Sequence, residues 1–264
     1  MKALRLLLAL SLLAAAPAWA AVQSKVVTYK DGDATLTGQL YWDDAVKGKR
    51  PGVLVVHEWW GLNDYAKHRA EMLAKLGYVA FAADMYGDKK VTRHAEDAKG
   101  WMGQITANID AWQHRAALGL AQLKASKLVD GDRLAAIGYC FGGATVMQMV
   151  YAGQDVKGVV SFHGSMPPAT PEQVAAMQAA KRRPKVLLEH GDADPFVPAE
   201  RIAAFKDALT QAGVDWEMDV YANTRHSFTN PDAASFGMAA LAYNPEADRR
   251  SWARMQAFFA ELFR

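Results

Sequence analysis

Apolar positions along this chain fall into two alternating patterns. Short, nearly continuous apolar runs recur at Gly52-Val53-Leu54-Val55-Val56-His57, Tyr78 to Ala83, Leu134 to Gly138, Gly158 to Phe162 and Lys185 to His190, and a further strand is predicted at Trp216 to Tyr221. Runs of that length without a polar face predict strands covered on both sides. Helical spacing fills the intervals. One helix is predicted from a cap at Asp64 to about Lys75, where Gly77 stops it, and another from Ala95 to about Lys124 with a break near Gly103. Further helices are predicted over Gly142 to Tyr151, Glu172 to Ala180, Ala199 to Ala212 and Asp248 to Phe263. Ahead of this alternation, Lys25 to Lys30 and Thr35 to Trp42 flank Asp31-Gly32-Asp33, which predicts an antiparallel pair around a tight turn. The whole pattern predicts an α/β fold, a mostly parallel central sheet flanked by helices on both faces. Such sheets bind ligands beyond the carboxyl ends of their strands, so reactive side chains are expected just after each strand.

The first twenty residues depart from this pattern and read as an address. Lys2 and Arg5 precede the apolar run Leu6 to Ala16, and Ala18-Trp19-Ala20 places small residues where a signal peptidase reads. The run is short for a bilayer span. A signal peptide over residues 1–20 and one mature domain over 21–264 are therefore expected, in a secreted, periplasmic protein. Losing Lys2 and Arg5 from the 30 basic residues leaves them equal in number to the 28 acidic ones. That balance provides no basic stripe for nucleic acid, and no membrane contact is expected after cleavage. Without short His-x-x-x-His or paired-cysteine spacings, no metal is expected. Neither Gly-x-Gly-x-x-Gly nor Gly-Lys-Ser/Thr occurs, so no nucleotide is expected, and no cofactor. A monomer is the favoured state.

Four predicted strand ends carry chemistry. The only cysteine, Cys140, lies in Gly138-Tyr139-Cys140-Phe141-Gly142-Gly143. Glycines two before and two after a nucleophile mark the strand–turn–helix elbow that thrusts one side chain outward. His57-Glu58-Trp59-Trp60-Gly61 follows the first buried strand, Gly191-Asp192-Ala193-Asp194-Pro195-Phe196-Val197-Pro198 follows another, and His226-Ser227-Phe228 follows the last. Nucleophile, acid, histidine is the chain order of α/β-hydrolases. A thiol needs a base to take its proton, and the imidazole needs a carboxylate to hold its tautomer. Asp192 competes with Asp194 for the acidic role, and His57, His163 and His190 also lie near strand ends. Glu58 has the alternative of capping the following loop. Trp59, Trp60, Tyr86 and Trp101 border the pocket or belong to the core.

Together these motifs resemble the dienelactone hydrolase family, over nearly the whole mature chain from about Val53 to the last helix. The resemblance implies an α/β-hydrolase fold and a cysteine hydrolase acting on a small ester or lactone. Cys140 would be the nucleophile, His226 the base, Asp194 its orienting acid, and Glu58 a carboxylate against the resting thiol. Backbone N–H groups of Phe141 and Trp59 would form the oxyanion hole, with Trp60, Tyr86 and Asn230 as substrate-binding candidates. One departure concerns recognition. The family anchors a substrate carboxylate with arginines, and at those positions this chain has Asp88 and Asn230. A bidentate guanidinium has no equivalent in either residue, so the substrate is expected to have diverged. Two alternatives stay open: a broad-specificity esterase or peptidase, and a non-catalytic binding or redox-responsive protein on the same fold.

Overall fold

A computed structural model describes residues 22–180 and 182–264, so the expected signal peptide lies outside the described residues. The antiparallel pair forms as β1 (Val22–Asp31) and β2 (Ala34–Asp43), turning at Gly32 with φ 55°. Six strands follow: β3 (Arg50–Val56), β4 (Val79–Ala83), β5 (Val129–Tyr139), β6 (Gly158–Phe162), β7 (Lys185–Gly191) and β8 (Trp216–Tyr221). They make one eight-stranded sheet in the order β1-β2-β4-β3-β5-β6-β7-β8. Pairing is antiparallel at β1–β2 and β2–β4 and parallel from β4 to β8.

Because side chains alternate along a strand, each strand supplies both faces. Leu54, Val56, Phe81, Ala136 and Val159 pack toward α3 (Ile109–Lys124) and α4 (Phe141–Tyr151). Val53, Val55, Ala80, Ile137 and Val160 pack toward α1 (Asp64–Lys75) and α7 (Pro245–Leu262). Burying a Val or Leu side chain contributes about 1.5–3 kcal/mol, so this two-sided core is the main stabilising term. The remaining helices are α2 (Ala95–Thr106), α5 (Pro171–Ala179) and α6 (Ala199–Gln211), with a 3-10 turn at Ala233–Phe236.

Boundaries differ from the sequence pattern where a cap decides them. Asn63, rather than Asp64, caps α1 by accepting from the Ala66 N–H. The break in the long helical stretch falls at Ala107 and Asn108, not at Gly103, because the Asn108 side chain accepts from the Ala111 N–H and starts α3. Helix α7 opens at Pro245, behind the capping side chain of Asn244.

The elbow needs its glycines for space. A Cβ on Gly138 would strike the Gly142 backbone, and one on Gly142 would strike the Val56 carbonyl. This close packing seats the start of α4 between the ends of β3 and β5, bringing the residues after those strands together.

Candidate active site

Cys140 sits between β5 and α4 with φ 54° and ψ −113°, a conformation that costs a non-glycine residue of order 1–3 kcal/mol. Neighbouring contacts hold it there. Its N–H donates to the Phe162 carbonyl at 3.0 Å and to His163 Nδ1 at 3.1 Å. Phe141 is the first residue of α4, so its N–H has no intrahelical acceptor and points from the positive end of the helix dipole.

His226 comes from the loop after β8, and the turn after β7 supplies Asp194. His226 Nδ1–H donates to Asp194 Oδ2 at 2.6 Å, and both side chains are buried. Asp194 Oδ1 accepts from the Phe196 N–H at 2.9 Å, which fixes the carboxylate plane. Asp192 instead accepts weakly from the Thr224 N–H at 3.4 Å. Burial works against charge on His226, but the Cys140 sulfur and the Asp194 carboxylate outweigh it and push the imidazole pKa up to about 10.

Glu58 is turned into the His226 loop. Its Oε1 accepts from Ser227 Oγ and its Oε2 from Asn230 Nδ2, both at 2.6 Å. Burial pushes its carboxyl up in pKa, while the two hydrogen bonds pull it down. Among the described residues Glu58 makes no hydrogen bond to Cys140 and does not line the cavity, in contrast to the resting arrangement that the resemblance implied. The physical reason lies in the loop: Ser227 and Asn230 present one donor to each carboxylate oxygen. The peptide between Glu58 and Trp59 is also pinned. His57 Nε2 accepts the Met85 N–H at 3.2 Å, so its Nδ1–H donates to the Glu58 carbonyl at 2.5 Å. Tyr86 donates its hydroxyl to the Trp59 carbonyl at 3.0 Å.

Cys140 and His226 open onto a cavity of about 440 Å³. Its wall is mostly apolar, through residues such as Trp59, Met102, Trp112, Phe141 and Leu241, and Thr106, Ser165 and Arg201 are its polar members beside the site. Three sequence expectations need correction here, because Trp60, Tyr86 and Asn230 do not line it. Trp60 is fully buried and stacked on Phe236 at 4.0 Å between ring centres. The Tyr86 hydroxyl is committed to Trp59 and the Asn230 amide to Glu58. Trp101 packs edge-on to Tyr86 rather than facing the cavity. Asp88 is exposed on a turn, its N–H donating to the Thr35 carbonyl. Sequence reasoning missed Met102, Trp112 and Leu241, which carry no motif; their one signal was an apolar position on a helix or loop. Among the described residues, no three His, Cys, Asp or Glu side chains converge as a metal site requires.

The arrangement matches known proteins. The dienelactone hydrolase family pattern covers residues 36–263. Two solved structures superpose closely: one titled m3DLH, 40% identical with a TM-score of 0.87, spans 91% of this chain and 98% of its own. The other is a dienelactone hydrolase-like promiscuous phosphotriesterase from metagenomic libraries, 39% identical with a TM-score of 0.87, spanning 92% of this chain and 99% of its own. A curated relative, the putative carboxymethylenebutenolidase of Methylorubrum extorquens, is 27% identical over 223 residues, covering 81% of this chain and 73% of the relative. With the family pattern spanning both the sheet and the elbow, this chain belongs to the dienelactone hydrolase family and is an ester-acting hydrolase with the α/β-hydrolase fold.

Proposed function

We propose that this protein hydrolyses small carboxylic esters or lactones through a covalent intermediate on Cys140. The observation that carries the reading is the buried His226–Asp194 pair facing the elbow cysteine across one cavity. His226 Nε2 takes the thiol proton, and the sulfur attacks the substrate carbonyl carbon. The carbonyl electron pair moves onto oxygen, which the Phe141 and Trp59 N–H groups receive. As the tetrahedral centre collapses, the C–O bond breaks and His226 gives its proton to the leaving alkoxide. In a lactone that alkoxide stays tethered to the acyl group. A water molecule, deprotonated by His226, then attacks the thioester, the C–S bond breaks, and the acid departs. Asp194 holds the imidazole in the required tautomer throughout.

The mostly apolar cavity wall favours esters with an aryl or alkyl body over substrates whose carboxylate needs two arginines. Buried Asn230 and exposed Asp88 support the same view, because neither offers a cation to the cavity, and Arg201, the guanidinium that lines it, also donates to the Phe196 carbonyl. A second reading, phosphotriester hydrolysis at the same thiol, is favoured by the 39% identical neighbour described as a promiscuous phosphotriesterase. Residues 1–20, with a basic start, an apolar run and Ala18-Trp19-Ala20, support export to the periplasm. The test is turnover of aryl esters, small lactones and an aryl dialkyl phosphate by the purified protein. Loss of all turnover in Cys140→Ala is expected; retained ester hydrolysis in that variant would overturn the covalent reading.

A further inference from the structure

A third imidazole beside the site has no part in the steps above. His163 follows β6, is fully buried and stands at φ 40°, a left-handed conformation rare for a non-glycine residue. Both of its ring nitrogens are committed. Nδ1 accepts the Cys140 N–H at 3.1 Å, and Nε2 lies 2.7 Å from Thr229 Oγ1. A backbone N–H only donates, so Nδ1 carries no proton and Nε2–H donates to Thr229. Burial, then the nearby charges of His226 and Arg69, hold the ring well below the usual histidine pKa, with His190 acting in the same direction. The ring stands edge-on to His226, 5.1 Å between centres, and to Phe228 at 5.2 Å.

Thr229 is itself anchored. Its Oγ1 meets the Tyr65 hydroxyl at 2.5 Å, and its carbonyl accepts from the Arg69 guanidinium at 2.5 Å. Arg69 in turn pairs with Asp248 at 2.6 Å. The loop from His226 to Asn230 therefore has a fixed attachment three residues beyond the imidazole. His163 joins that attachment to the backbone of the elbow.

We propose that His163 is a positioning residue, a neutral imidazole strut between the nucleophile elbow and the loop carrying His226 that sets the spacing of sulfur and base. The proposal rests on Cys140 and His226 being the reacting pair. Cys140, His163 and Ser227 all hold positive φ, at 54°, 40° and 56°, and such strain persists only where the surroundings over-determine it. The strut supplies a constraint at both ends, one hydrogen bond to each segment.

The single cysteine allows a direct test that needs no substrate. The rate at which iodoacetamide alkylates Cys140, followed against pH, reports the Cys140–His226 couple in wild type and variants. Three variants dissect the strut. His163→Phe removes both bonds. Thr229→Val removes the loop bond together with the Tyr65 contact of the same hydroxyl, which Tyr65→Phe removes by itself. His163→Asn keeps an acceptor near the elbow in a residue that tolerates positive φ. In His163→Phe, kcat on an aryl ester should fall about 10- to 100-fold, as a misplacement near 1 Å does, with KM changing by less than about threefold. The alkylation profile should shift in midpoint in all three variants, least in His163→Asn. His163→Phe/Thr229→Val should be no worse than His163→Phe/Tyr65→Phe, which also lacks the Tyr65–Thr229 contact, because the remaining changes cut one strut.

Unchanged kcat and an unchanged alkylation profile in folded Thr229→Val and His163→Asn would overturn the strut, whatever their melting temperatures. A larger loss in His163→Phe/Thr229→Val than in His163→Phe/Tyr65→Phe would overturn it as well. If His163→Phe does not fold, these two milder variants carry the test. The two readings fail separately. Ester hydrolysis surviving Cys140→Ala removes the nucleophile assignment, whereas an inactive Cys140→Ala with wild-type strut variants removes only the strut.

Discussion

On one side of Cys140 the protein buries polar groups and pairs them; on the other it leaves an apolar space. The paired side holds Asp194 with His226, Glu58 with Ser227 and Asn230, and His163 with Thr229. It is assembled from strand ends, three of whose residues sit at positive φ. The apolar side is assembled from α2, α3 and connecting loops, through Met102, Trp112, Phe196 and Leu241. The contrast separates two tasks. Moving a proton and holding a developing charge need groups fixed to within tenths of an ångström, and Asp194, Glu58 and His163 each have both polar side-chain atoms tied. Accepting an ester body needs only shape and dryness, which several combinations of apolar side chains provide.

The comparison is tested most severely on the paired side. Cys140→Ala is expected to abolish turnover of an aryl ester and Asp194→Asn to lower kcat by about 10⁴-fold, both with circular dichroism unchanged. Asp194→Asn isolates orientation, since its side chain keeps its volume and loses the charge and one of two acceptor oxygens, the other being needed by the Phe196 N–H. If it stayed within tenfold of wild type, His226 would not depend on Asp194.

A smaller loss is expected from Glu58→Gln. Both oxygens of Glu58 accept from donors, so the new amide must keep its oxygen toward Asn230 and turn its NH2 to Ser227, whose hydroxyl reverses to accept. Replacing two carboxylate bonds by neutral ones should destabilise the fold by about 1 kcal/mol in urea titrations and lower kcat through the loop. Unchanged stability would mean that these two hydrogen bonds are easily exchanged. Glu189 provides the contrast. This buried carboxyl receives one donor, the Tyr221 hydroxyl at 2.7 Å, while its Oε1 has no partner among the described residues. Burial pushes its pKa up to about 9. Its folded pKa exceeds the unfolded value, so its contribution is fully present below about pH 4.3 and is lost as pH rises through about 9. Glu189→Gln should therefore flatten the fall of melting temperature with pH across that window. An identical slope in wild type and variant would contradict the assignment.

The smallest effect is expected on the apolar side. Met102→Ala enlarges the cavity without touching a polar partner of Cys140. It should change the ratio of kcat/KM for long and short acyl esters by about 10-fold and leave the pH–rate profile in place. A shifted pH profile would show that the two sides are not independent.

How much was legible in the chain follows the same division. Strand β6 begins and ends where its apolar run does, because a strand covered on both faces has no other composition available, and β8 keeps its predicted bounds as a half-exposed edge strand. The elbow was legible because its glycines sit at fixed offsets from Cys140, and Asp194 and His226 because they follow strands directly. Helix starts were less legible: Asn63 and Asp64 both suit a cap, and only the backbone angles select Asn63. Trp60, Tyr86 and Asn230 were misplaced for a related reason. Each lies beside a motif residue in sequence, yet its side chain is claimed by a partner far away, Phe236, Trp59 or Glu58. His163 carried no motif at all, and its two bonds reach 23 residues back and 66 residues forward.

By itself, then, the sequence determined the alternation of strands and helices and singled out the elbow cysteine, with Asp194 and His226 as the candidate acid and histidine beside it. Those features depend on local periodicity and on residues adjacent to strand ends, which a parallel sheet necessarily brings to one edge. Only the tertiary structure decided which way Glu58 turns, which side chains form the cavity, and how the elbow is tied to the His226 loop. These depend on contacts between segments far apart in the chain, where the choice among available donors and apolar faces is made by packing rather than by spacing.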